Sequence, residues 1–424
     1  MLDSVKLLLV PGNATLRREP AITDPIATYV ERRWAGDPGA PGGKANRVGF
    51  AYLAHVPGEI AGWDPVLRSS VAADVVEVEA AVRGLAAHSH LLGALLWPLL
   101  RAEAIASSRI EGLAVSHERL ALTAAGAGGD DHVARAVLGN LDALRAALDR
   151  GAEPITTATL TDIHRILLAG TAQEGIAGAV RTEQNWIGGR HPNPRGAAFV
   201  PPPPEEVGRL LDDLCRFCER DDLPAVVQAA IAHVQFETIH PFADGNGRVG
   251  RALIQAILRR RGLTGGGPGD PGVAPPISLA LAAHSDAYIA GLSAFREGDH
   301  IRWVEFFLQA VHRACAIAED LVQAIAALQA DWRERAGRPR RGSAAAALIE
   351  RLPASPVIDL AGARALTRAS SQATRLAINR LEAAGVLWEL TGKGRLRRWE
   401  VAGLFGRLES VDQFSAGSSS PGLR

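Results

Sequence analysis

The run His240-Pro241-Phe242-Ala243-Asp244-Gly245-Asn246-Gly247-Arg248-Val249-Gly250-Arg251 gathers a titratable base, a carboxylate, a small-residue turn and two arginines. Those types in that order suit a nucleotide phosphate tail with a bound magnesium ion. Gly245, Asn246 and Gly247 can turn backbone N–H groups inward as an anion nest. A helix starting there would point its positive end at the same spot. Asp244 is a hard oxygen donor of the kind magnesium takes beside phosphate oxygens. Arg248 and Arg251, three apart, share one helix face and can clamp phosphate together. His240 stands just ahead of the cradle, placed to take a proton from an incoming hydroxyl.

The run resembles the Fic family motif, H-P-F-x-[D/E]-G-N-G-R-x-x-R, at every defined position. The resemblance implies transfer of AMP from ATP to a Ser, Thr or Tyr hydroxyl of a target protein. His240 would be the base, and Asp244 would hold magnesium, with manganese as its substitute. Backbone N–H groups of Gly245, Asn246 and Gly247 would cradle phosphates, and the Asn246 side chain would add a donor. Arg248 and Arg251 would bind the β/γ end. Tyr288 stands in a Y-x-x-x-L setting where relatives carry a tyrosine near adenine; a half-buried core tyrosine fits as well. His233 and Glu237 share a face of the preceding helix and are expected to support the loop. Kinase-like relatives have Lys in place of the second glycine; Gly245 and Gly247 favour adenylylation. No G-x-x-x-x-G-K-[S/T] phosphate loop is present.

Upstream, Ser107 and Glu111 are four apart on one helix face, with Gly112 suited to ending that helix. This resembles the Fic inhibitory motif, [S/T]-x-x-x-E-[G/N], in the subgroup where it precedes the core. The resemblance implies that Glu111 pairs with Arg251, repels the γ-phosphate and takes its partner. The same glutamate could orient a water against an AMP-modified target, so removal of AMP is an alternative.

Between the two motifs, residues 180–187 and 197–200 read as two short strands joined by a turn-rich insert over 188–196. Fic proteins carry such a hairpin, the flap, which holds the target segment by backbone pairing. The resemblance assigns target binding to Asn185, Trp186, Ile187, Gly188, Phe199 and Val200.

Helices must position these parts. From Pro65 to Leu122, and again through about Arg335, apolar residues recur at helical spacing. The expectation is a mainly α fold: a Fic-type helical bundle with a β-hairpin flap. Residues before about Gly62 look irregular, apart from a short strand over 48–54. After an Arg-Gly-Pro linker at 336–343, residues 344–408 resemble a winged helix-turn-helix, as many bacterial Fic proteins carry. Gln372, Arg375 and Asn379 could face a major groove. The divisions expected are an N-terminal Fic-associated region at 1–122, a catalytic core at 123–335 and a disordered tail at 409–424.

The chain has 424 residues, and Lys+Arg and Asp+Glu both number 46. Global charge therefore argues neither for nor against nucleic acid. The 3 cysteines are too few for a disulfide framework, and Cys215 and Cys218 sit mid-helix as packing residues. No signal peptide or membrane span is read, so a soluble cytoplasmic protein is expected. Expected partners are the target protein, the chain itself through self-modification, a second copy as a homodimer, and DNA. A DNA-binding regulator whose Fic core modifies only itself is the competing function.

Overall fold

A computed structural model of the chain describes residues 25–36, 38, 39, 43–87, 96–189, 192–266, 272–390 and 397–417. An antiparallel hairpin opens it: β1 (Thr28–Trp34), a helical turn α1 (Lys44–Arg47), and β2 (Phe50–Val56), in register from Thr28↔Val56 to Trp34↔Phe50. The sequence reading placed only one strand here and missed β1. β1 has no buried residue and β2 is buried only over its last three residues, so no clean apolar alternation marks them.

Helices then follow: α2 (Ser69–Ala87), α3 (Leu96–Ile110), α4 (His117–Ala124), α5 (His132–Asp149) and α6 (Thr157–Leu168). After the flap region come α7 (Pro204–Cys218), α8 (Ala225–Ile239), α9 (Asn246–Arg260), α10 (Ile277–Ala283) and α11 (Ser285–Arg296). The long α12 (His300–Arg335) leads into the C-terminal part. Every residue of α8 is buried, including the polar Gln228, His233, Gln235, Glu237 and Thr238, so the helix has no solvent-facing polar side. It packs against α7, α9 and α12, and Trp303 of α12 donates its indole N–H to the Ala230 carbonyl at 2.8 Å. The motif thus starts at the end of the most buried helix.

The C-terminal part holds α13 (Ala344–Arg351), β3 (Val357–Asp359), α14 (Leu360–Thr367), α15 (Ser371–Ala383), β4 (Leu387–Glu389), β5 (Arg398–Val401) and α16 (Leu404–Gly417). Its sheet runs β3-β5-β4, antiparallel throughout. Serine hydroxyls cap α13 and α15, from Ser343 and Ser370. An apolar cluster joins Trp332 and Ile325 of α12 to Leu348, Ile378 and Leu404, and takes in Leu96 and Leu99 of α3. The stretch expected as a linker is tied down: Arg380 donates to the Ala336 carbonyl at 2.7 Å.

One boundary is corrected. The tail expected from residue 409 begins inside α16, because Leu404, Phe405 and Leu408 dock that helix on the second core. Residues 418–424 and the expected wing turn at 391–396 lie outside the described residues.

Candidate active site

The chain leaves α8 through His240, whose backbone is left-handed at φ 50°. A side-chain-bearing residue rarely adopts this, and it persists only where surroundings over-determine it. Here they do. The His240 N–H donates to Phe236, and its carbonyl accepts from Arg181 Nε at 2.8 Å and Asn185 Nδ2 at 3.3 Å. The Arg181 N–H donates to the Pro241 carbonyl at 2.9 Å. Phe242 is fully buried and stacks on His164, with ring centroids 3.9 Å apart.

His164, on α6, is a site residue that sequence reading missed. Its Nδ1 accepts the Gly178 N–H at 3.0 Å, so its Nε2 carries the proton and donates to the Asp244 carbonyl at 3.0 Å. Burial pulls its pKa down to about 4, which keeps it the neutral donor-acceptor this role needs. Its one sequence signal was a polar side chain among Leu160, Ile163 and Leu167 on the buried face of α6.

Asn246 is corrected. Its side chain was expected to reach a phosphate. Instead its Oδ1 accepts the Phe242 N–H and its Nδ2 donates to the Phe242 carbonyl, both at 2.8 Å. The amide closes the loop through both its oxygen and its nitrogen, and the Asn246 backbone N–H lies in the first turn of α9 beside the cradle. Gly245, left-handed at φ 79°, starts α9 with no side-chain cap, so the first-turn N–H groups lack intrahelical partners.

The His240 ring directs Nδ1 at the Glu237 carbonyl, 3.4 Å away, which leaves Nε2 with the lone pair. Burial lowers its pKa to about 4, with Arg296 and Arg181 adding to the effect against the Glu237 hydrogen bond. The imidazole is therefore neutral and able to accept a proton near pH 7. Burial raises the Glu237 carboxyl to about 7, and Arg251 opposes. Tyr288 takes the core position of its two readings: it is 3% exposed, and its hydroxyl lies 2.8 Å from His233 Nε2, below Arg251.

Arg251 is 2% exposed. Its Nε donates to Ser107 Oγ at 2.9 Å, and its Nη2 donates to the Ser107 carbonyl and to Glu111 Oε1, both at 2.8 Å. The two motifs meet through Arg251 and Glu111, the pair that the resemblance implied. Burial pushes the Glu111 carboxyl up, but Arg251, Arg248 and His240 together hold it below the ordinary carboxylate range. A Cβ on Gly247 would lie 2.0 Å from Glu111 Oε1, so the carboxylate rests against the first turn of α9. Arg248, itself buried, has its Nη2 3.6 Å from Asp244 Oδ1.

The flap is also corrected. The two expected strands reduce to one bridge, Ile187↔Phe199, with the Ile187 N–H donating to Phe199 at 2.8 Å. Arg181 and Asn185 spend bonds on the loop at 240–242 instead, while Gln184 donates across to the Pro201 carbonyl at 3.0 Å. Asn185 donates to the Phe242 carbonyl at 3.0 Å and so faces the loop, not a target. Trp186 packs edge-on against Trp34, and Arg296 lies 3.7 Å over the Phe199 ring. The Val200 carbonyl accepts the His55 N–H at 2.9 Å, which pins the flap to β2. Gly188, at φ 73°, turns the chain away after Ile187. Cys215, Cys218 and Cys315 are buried free thiols with raised pKa values, as packing residues should be.

Among the described residues no group of three His, Cys, Asp or Glu could hold a metal by itself. Asp244 still fits a magnesium ion that takes its remaining oxygens from phosphate and water. Its side chain is about half exposed, and Oδ1 is anchored by the Gly245 N–H at 2.6 Å. No helix among the described residues is long and apolar enough to cross a membrane.

Comparison with known proteins decides the family of this loop. Residues 154–258 match the Fic/DOC family and residues 75–149 its N-terminal region. The chain carries a Fic domain. A protein adenylyltransferase of Caenorhabditis elegans is 30% identical over 155 residues, 36% of this chain and 26% of that protein. The protein adenylyltransferase Fic of Nematostella vectensis is 30% identical over 183 residues, 42% of this chain and 38% of its own length. The chain thus spans well under half of these curated relatives. A Fic family protein from Desulfovibrio desulfuricans G20 superposes with a TM-score of 0.51 at 21% identity, over 80% of this chain and 99% of that one, and shows the fold.

The Fic domain's buried Glu237 makes stability depend on pH. Its folded pKa of about 7 lies above the ordinary 4.5, so its contribution is present at low pH and lost as pH rises through about 7. Glu237→Gln cannot ionise. Its melting temperature relative to wild type should therefore climb between about pH 5 and pH 8. A constant difference across that range would contradict the assignment.

Proposed function

We propose that the chain is a protein adenylyltransferase restrained by its own Glu111. The target hydroxyl oxygen attacks the α-phosphorus of ATP, and the bond to the bridging oxygen of the β-phosphate breaks. His240 Nε2 takes the hydroxyl proton, and pyrophosphate leaves. A magnesium ion, when bound, neutralises charge on the leaving pyrophosphate. First-turn N–H groups of α9 and Arg248 orient the phosphates for in-line displacement.

The carrying observation is the ion pair of Arg251 with Glu111, 2.8 Å, laid over Gly247. An anion already occupies the place where the end of a triphosphate would meet Arg251. The neutral His240 and the adenylyltransferase names of the relatives support the reaction class.

Incubation with α-labelled ATP and magnesium tests the reading, with the chain's own hydroxyls as the first acceptors. Glu111→Gly should retain label on protein, wild type far less, and His240→Ala none. The label formed by Glu111→Gly should fall only as pH drops towards about 4, where His240 protonates. No label in any variant would move the reading to AMP removal.

DNA binding is a second role for the C-terminal part, read as a winged helix-turn-helix. Gln372, Arg375 and Asn379 are exposed on α15. Fluorescence anisotropy with duplex DNA should show binding that weakens steeply with salt and is lost in Arg375→Ala. Absence of salt-sensitive binding would remove this role.

A further inference from the structure

The helix that carries Ser107 is held at its other end by the C-terminal part of the chain. Arg101 of α3 is 6% exposed and donates from Nη2 to the Ala354 carbonyl, 3.1 Å away, just after α13. Its Nη1 is buried with no hydrogen-bond partner among the described residues. Burial pulls its pKa down to about 10, and no neighbouring carboxylate offsets this. A guanidinium buried this way costs stability, so the contact defines a position at the expense of firmness.

Other contacts reach α3 from the same side. Leu96 and Leu99 belong to the apolar cluster of Leu348, Leu352 and Leu404. Glu103 lies fully buried and accepts the Ser278 N–H at 2.7 Å and hydroxyl at 2.5 Å, at the start of α10. Helix α10 in turn packs against α16. Glu103, Ser107 and Glu111 recur every four residues, so one face carries the anchor, the Arg251 contact and the carboxylate. Arg398 of β5 donates to the Gly126 carbonyl at 3.1 Å, just past α4.

A helix transmits displacement as a rod, and Arg101 lies about 15 Å along it from Glu111. The Glu111 carboxylate touches Gly247 and bonds Arg251 at 2.8 Å. A shift of about 1 Å would break a hydrogen bond of that length.

We propose that Arg101 is a positioning residue through which residues 344–408 hold the inhibitory helix. Movement of the C-terminal part then changes how firmly Glu111 grips Arg251. This rests on reading Glu111 as a brake.

The test uses full-length wild type, Arg101→Ala, Glu111→Gly and the double variant. Two readouts are taken: amide hydrogen exchange over residues 103–111, and protein label from α-labelled ATP. Arg101→Ala should speed exchange there and raise label roughly 5-fold or more over wild type. Added to Glu111→Gly, it should raise label no further, since the brake is already gone. Wild-type exchange and wild-type label in Arg101→Ala would overturn the proposal. If Arg101→Ala loses its cooperative melt, Arg101→Gln is read instead, since it removes the charge and the reach but keeps polarity. If Glu111→Gly itself takes no label, the adenylylation reading fails, and the exchange data alone decide the role of Arg101.

Discussion

The buried guanidinium of Arg251 keeps anionic company, and the rest of the site follows from which anion supplies it. In this structure the company is Glu111, with the Ser107 hydroxyl and carbonyl completing the set. The pair is buried on the Arg251 side alone, so loss of the carboxylate leaves that guanidinium unpaired unless another anion replaces it. A phosphate oxygen is a replacement of the same charge. On the proposed function, brake and substrate would compete for one cation, and neither would leave Arg251 unpaired.

The demand for close approach then explains the small residues. Glu111 can reach Arg251 only across Gly247, where any side chain would collide with its carboxylate. The loop before it must present N–H groups and His240 from a fixed place. It does so by closing on itself through the Asn246 amide and wedging Phe242 against His164. The left-handed backbone at His240 is held by Arg181 and Asn185, which arrive from the flap segment. Flap and loop are therefore one hydrogen-bonded unit. The N-terminal hairpin steadies it through His55 and Trp34.

Much of this was legible in the sequence. The loop motif and the Ser107–Glu111 spacing are local patterns, and helix geometry alone places their members on common faces. The helical pattern of α8 was legible, though its complete burial was not. Side-chain functions spent across long sequence distances were not. Arg181 and His164 meet the loop from 59 and 80 residues away, and no spacing rule connects them to it. Asn246 was assigned to phosphate because a donor beside a nest suggests one, while the competing claim of the Phe242 backbone appears only in three dimensions. The flap strands failed for a related reason. Ile187 and Phe199 do pair, but Arg181 and Asn185 give hydrogen bonds to the loop at 240–242, and the Val200 carbonyl is taken by His55.

The central claim is that Glu111 holds the γ-phosphate's place on Arg251, and paired calorimetric titrations of ATP and ADP test it most directly. Wild type should bind ATP no more tightly than ADP, because the terminal phosphate finds its cation occupied. Glu111→Gly should favour ATP over ADP by roughly tenfold or more, as one recovered charge-assisted bond would give. The same ATP-to-ADP ratio in both proteins would contradict the account.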